Sequence, residues 1–153
     1  MHSLGNCDRK LDIAILADIS KSLTHNDLAL FKKVVIDMIN RVGVSEKGTH
    51  FGLITFGDQA KRHNYFKRSY YHNKEKLREL VRDKIKRATK VGTRTDIALR
   101  LARNELFVPA NGDRDDADNL LFLFTDGRPF KHNTNFNFKQ QSESLEVSEL
   151  SLI

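Results

Sequence analysis

Three short runs built almost entirely of aliphatic and aromatic residues set the limits on what this chain can become. They are Ile13-Ala14-Ile15-Leu16-Ala17, the segment 51–56, and Leu120-Leu121-Phe122-Leu123-Phe124. A strand with one wet face alternates apolar and polar residues, whereas runs without that alternation need cover on both faces. The stretches between them can supply it, because their apolar residues recur at helical spacing. Strands alternating with helices predict an α/β fold: a doubly wound, mostly parallel sheet with helices on both faces. In such sheets ligands sit beyond the carboxyl ends of the strands, near the point where the strand order reverses.

The elements can be placed more closely. The first strand covers 11–17 and is followed by a helix with a Thr24/Asp27 capping box, an inner stripe of Leu28, Phe31, Val35, Met38 and Val42, and Gly43 as its stop. After the strand at 51–56, residues 60–66 read as a more polar edge strand, paired antiparallel through the Gly57-Asp58 turn. Helices are predicted over 74–87, with Leu77, Leu80, Val81 and Ile85 inward, and over 95–107, with Ile97, Ala98, Leu101 and Leu106 inward. The last strand is 120–124. The expected division is a lead-in at 1–10, a domain at 11–130 and a weakly structured polar tail at 131–153.

Composition fits one globular domain: 153 residues, 39% hydrophobic and 30% charged. No apolar stretch approaches the ~20 residues of a membrane-spanning helix. Met1 to Lys10 lack the apolar centre of an export signal.

The chemistry concentrates where apolar runs end. Asp18-Ile19-Ser20-Lys21-Ser22 releases a carboxylate and two hydroxyls at alternate positions from the first strand. Those are hard oxygen donors suited to a small divalent cation. Val91-Gly92-Thr93-Arg94-Thr95-Asp96 places hydroxyls where a helix opens, and Thr125-Asp126-Gly127 places a carboxylate after the last strand. Each piece has a plainer reading. Asp18, Ser20 and Ser22 could cap the following helix, Thr93 or Thr95 could cap the next, and Asp126 could be a turn residue.

The three motifs in this order and spacing resemble the von Willebrand factor A domain, in its matrilin-, collagen- and integrin-like form, from about Leu11 to Pro129. The resemblance implies a Rossmann-like fold with the first strand central and beside the one ending at Phe124. It also implies a metal-ion-dependent adhesion site whose ligands are Asp18, Ser20, Ser22, Thr93 and Asp126, some reached through water. Magnesium or manganese held by three hydroxyls and two carboxylates is roughly charge-balanced and keeps a corner for an outside acid. Free amides at the start of the helix near Thr95 would favour the same anion. One departure concerns affinity: small residues usually stand where this chain has Ile19 and Lys21, and Lys21 adds positive charge near the ion.

The tail also departs from the family. Residues 131–153 show no convincing strand, only a short amphipathic helix over 142–152, so the domain is expected to be incomplete, with the 120–124 strand at an exposed edge. Related extracellular domains often pair a cysteine placed like Cys7 with a second near the end; this chain has one cysteine, read as a free thiol or an intermolecular bridge.

Residues 61–90 hold twelve Lys or Arg against three acids. The segment is either a solvated helix exterior or a face with weak attraction for polyanions. Asp113, Asp115, Asp116 and Asp118 do not make a calcium loop, lacking Gly at the sixth position and Glu at the twelfth. There is no zinc spacing among the six histidines and no Asn-x-Ser/Thr sequon.

Two function classes remain. The leading one is a non-enzymatic, extracellular adhesion module that binds an acidic group of a matrix protein through the cation. The alternative is an intracellular assembly subunit of the same fold, associated with nucleic acid, which the lone cysteine and absent export signal favour. Catalysis is not expected, for the chain has neither a phosphate-cradling glycine loop nor a nucleophile with a positioned base.

Overall fold

The computed structural model describes residues 9–126 and 149–152. Its order is β1 (Leu11–Asp18), α1 (His25–Arg41), β2 (His50–Phe56), β3 (Ala60–Arg62), α2 (Lys74–Lys84), α3 (Thr95–Leu101), β4 (Asp118–Phe124) and β5 (Glu149–Leu152). The five strands lie in the order β3-β2-β1-β4-β5, all parallel except β3. β1 is therefore central, with β4 beside it, as the resemblance implied.

All eight residues of β1 are buried. Ile13, Ile15 and Ala17 face a core with Phe31, Val35 and Ile39 of α1 and Leu77, Leu80 and Val81 of α2. Ala14 and Leu16 turn to the other face, toward Ala98 and Leu99 of α3, Ala102 and Leu106. The predicted cover on both faces is thus present. Among the described residues no helix is long and apolar enough to cross a membrane.

Several boundaries move for identifiable reasons. α1 buries Ile39 fully while Met38, expected inward, packs against the same core only in part, and the helix ends at Arg41, with an extended Val42 as its cap ahead of Gly43. β3 stops at Arg62 because the Asn64 side chain takes over the ladder. Its Oδ1 accepts from the Leu53 amide at 2.9 Å and its Nδ2 donates to the Phe51 carbonyl at 2.7 Å, freeing Phe66 to enter the core. α2 stops at Lys84 because the chain leaves to join the β1 loop, where the Ala88 amide donates to the Ile19 carbonyl at 2.7 Å. The helix expected over 95–107 widens into a π turn at Ala102–Leu106, closed by Phe107 N–H donating to the Ala102 carbonyl at 2.9 Å.

The tail is a correction. The segment Glu149–Leu152 is neither strandless nor part of a helix over 142–152: it pairs parallel with β4, Leu120 opposite Glu149 through Leu123 opposite Leu152. β4 is consequently not an edge, since that pairing satisfies a row of amides and carbonyls that would otherwise lie open. Four residues are too few for periodicity to distinguish strand from helix. The rest of the predicted helix, and Cys7, lie outside the described residues.

Gly112 closes a short turn with φ +99°, and a β-carbon there would stand 2.4 Å from the Lys67 backbone nitrogen. Left-handed backbone costs an L-residue roughly 1–2 kcal/mol before any collision. Gly112→Ala is therefore expected to lower unfolding free energy by about 2 kcal/mol or more in urea titration.

Candidate metal centre

The register of the sheet builds the site. β1 and β4 run parallel with Ala17 opposite Phe124, so both chains leave the sheet together and bring Asp18 beside Thr125 and Asp126. Thr125 Oγ1 donates to Asp18 Oδ2 at 2.9 Å, and the Ser20 amide donates to Asp18 Oδ1 at 2.8 Å. Ser20 and Ser22 hydroxyls lie 3.0 Å apart, and Ser22 Oγ donates to Asp126 Oδ2 at 2.6 Å. Four of the five expected residues, from loops over a hundred positions apart, are thus linked by one run of hydrogen bonds, Asp18 through the Ser20 amide and the others through side-chain oxygens.

The capping alternative is answered by what caps the helices. α1 is capped by Thr24, whose side chain accepts from the Asp27 amide while Asp27 reaches back to the Thr24 amide. The loop before it is left for other work. At α3 the N-cap is Arg94, without a side-chain cap bond, so neither Thr93 nor Thr95 takes that role.

Thr93 is buried, at 8% exposure, in the loop that leads into α3. That loop borders the crevice of the other four residues. The Arg94 amide donates to the Gly57 carbonyl at 2.7 Å. A β-carbon on Gly57 would meet the Gly92 carbonyl at 3.7 Å and Ser20 Cα at 3.9 Å.

Asp18 is fully buried at 0% exposure. Burial pushes its carboxyl above the usual range and the negative charge of Asp126 adds to the push, while hydrogen bonds from Ser20 and Thr125 pull the other way. A buried carboxylate next to another carboxylate, stabilised here by hydroxyls and an amide, is a costly arrangement that a cation would relieve. The donors are all oxygen, and among the described residues no group of three His, Cys, Asp or Glu is placed to hold a metal ion. That chemistry suits a hard dication such as Mg2+ or Mn2+, bound by carboxylates and hydroxyls with water completing the shell.

Two residues escaped the sequence reading. Thr125 locks Asp18, a role visible only once β1 and β4 are known to be neighbours. Arg87 Nη2 donates to the Lys21 carbonyl at 2.6 Å and fastens the ligand-bearing loop to the chain after α2. Lys21 is itself exposed.

Comparison with known proteins agrees with this architecture. The family model of the von Willebrand factor type A domain matches residues 12–153. Matrilin-2 of Mus musculus is 29% identical over 129 residues, covering 82% of this chain and 13% of its own length. Matrilin-1 of Gallus gallus is 31% identical over 124 residues, 81% of this chain and 24% of its own. The chain thus spans a quarter or less of these relatives. Proximal thread matrix protein 1 from the mussel byssus superposes with TM-score 0.80 at 22% identity, over 97% of this chain and 38% of that one. A second structure of it, described as having a zinc-occupied MIDAS motif, gives TM-score 0.77 at 20% identity, with the same coverage.

Proposed function

Since the chain belongs to the von Willebrand factor type A family, we propose that it is a non-catalytic extracellular adhesion module that captures an acidic side chain of a matrix protein through a bound divalent cation. Asp18, Ser20, Ser22, Thr93 and Asp126 would hold the ion, directly or through water, and the ion would supply positive charge for the partner's carboxylate.

The observation that carries this reading is the convergence of Asp18, Ser20, Ser22 and Asp126 into one oxygen cluster around a buried carboxylate. The matrix setting is supported by the likeness to two matrilins and to a byssus thread matrix protein. Magnesium or manganese is preferred because every donor in the proposed set is a hard oxygen. Two protein carboxylates roughly neutralise a dication, so a third from outside is still attracted.

The test is a magnesium titration followed by thermal unfolding, comparing the parent with Asp126→Ala. At a hundredfold excess over Kd the parent gains about 2.7 kcal/mol, which for a domain of this size is roughly 5–10 °C in Tm. Asp126→Ala is expected to show no gain. Equal gains in both proteins would refute the assignment.

A further inference from the structure

A cleft of about 660 Å3 opens beside the oxygen cluster, between the β2–β3 turn and the chain leaving α2, with Ile19 in its wall. A second hollow of about 590 Å3, lined by Lys21, Arg87, Ala88 and Thr89, shares its last three residues with the first. The common wall is fastened to the loop that carries Ser20 and Ser22 by the Arg87 and Ala88 hydrogen bonds to Lys21 and Ile19.

The cleft is electropositive, with Lys61, Lys84, Lys86 and Arg87 set against Asp58 and Asp83. Lys84 and Lys86 share the single Asp83 carboxylate, at 2.7 and 3.0 Å. Both pairs are open to water and so hold weakly, leaving the ammonium groups able to turn to another anion. His63 adds no charge at neutral pH. Burial, with Lys61 and Lys84 nearby, lowers its pKa to about 4. Elsewhere in 61–90 some of the basic groups are engaged locally, as in Arg62 with Glu105 and Arg78 with Glu75, both at 2.7 Å. Part of the charge surplus in the sequence thus gathers in this cleft.

We propose that the cleft is a second subsite, taking an acidic side chain of the same protein partner, close in its chain to the carboxylate offered at the cation. The proposal rests on the cation reading above and adds the kind of segment recognised: a peptide with clustered acids. A sulfated polysaccharide fits less well. It would carry charge along its whole length past Asp58 and Asp83, whereas a peptide can set neutral residues there and use the apolar Ile19, Ala60 and Ala88.

The experiment measures binding, in magnesium and at low salt, of a peptide alternating glutamate with glycine and of the same peptide with all but one glutamate replaced by glutamine. The parent is expected to prefer the first by about tenfold, the sum of two or three weak charge pairs, and the preference should shrink as salt is raised. Lys61→Glu/Lys86→Glu should lose the preference while keeping the magnesium shift in Tm and the affinity for the single-glutamate peptide. A preference that survives that charge reversal, alongside a normal magnesium shift, overturns the subsite alone. A parent without any magnesium shift overturns the cation reading and the subsite with it. Tighter binding of a heparin hexasaccharide than of the acidic peptide, lost in the charge-reversed variant, would overturn the peptide assignment.

Discussion

Arg114→Ala is expected to lower the unfolding free energy by about 3–5 kcal/mol, the usual consequence of removing one member of a buried ion pair and stranding the other. Asp12 is fully buried at the start of β1. Its Oδ1 accepts from Arg114 Nη2 at 2.8 Å and Nε at 3.1 Å, and its Oδ2 from the Arg114 amide at 2.8 Å. The same Nη2 donates to the carbonyls of Gly48 at 2.7 Å and Leu11 at 3.1 Å. One guanidinium therefore ties together the entries to β1, β2 and β4. His50 lies alongside, with Nδ1 at 3.8 Å from Asp12, but burial, with His72 and Arg114 beside it, lowers its pKa, so it is a poor substitute for the guanidinium at neutral pH.

Urea titration would read this as a fall in midpoint at unchanged slope. Arg114→Lys should recover little, because a point charge cannot serve three segments as the planar fork does. The double variant Asp12→Asn/Arg114→Met should be more stable than Arg114→Ala, since it no longer leaves a buried charge unpaired while still offering an acceptor to the residue 114 amide. A loss below about 1 kcal/mol for Arg114→Ala would mean that water screens the pair, contrary to its burial.

Asp18→Asn is expected to act in opposite directions depending on the metal. Without magnesium the variant should melt higher than the parent, because the substitution removes a desolvated charge that faces Asp126. The local bonds survive it. The amide oxygen still accepts from Ser20 N–H, and the Thr125 hydroxyl can turn to accept where it now donates. With saturating magnesium the order should reverse, the parent gaining about 2.7 kcal/mol at a hundredfold excess and the variant nothing. Such a crossover separates a ligand from a merely structural carboxylate. A variant less stable than the parent under both conditions, with a magnesium shift equal to the parent's, would remove Asp18 from the site.

How much of this was legible beforehand depended on whether the cause was local. The uninterrupted apolar runs and the Thr24/Asp27 pair declared β1, β2, β4 and the start of α1, because burial on two faces and helix capping are written in adjacent residues. β5 was missed because four residues carry no period, and its place is set by pairing with β4. The early ends of β3 and α2 come from side-chain and backbone bonds to distant partners, Asn64 to β2 and Ala88 to Ile19. At the site, Asp18, Ser20, Ser22 and Asp126 were nameable from motif order and meet in space, and Thr93 lies buried in a loop that borders the same crevice. The bonds of Thr125 and Arg87 needed the register of the sheet.

The position of β1 bears on what a small octahedral ion demands. Asp18 is its buried terminal residue, paired with Phe56 of β2 and one position beyond the last β4 pair, Ala17 with Phe124. Amide protons of this strand should exchange with deuterium only on global opening, the slowest class in the molecule. The carboxylate grows from the end of the central strand and is held by the Ser20 amide and the Thr125 hydroxyl, so its oxygens are already positioned for a ligand. A load applied at this carboxylate would enter the sheet at its central strand, with β2 and β4 on either side to share it.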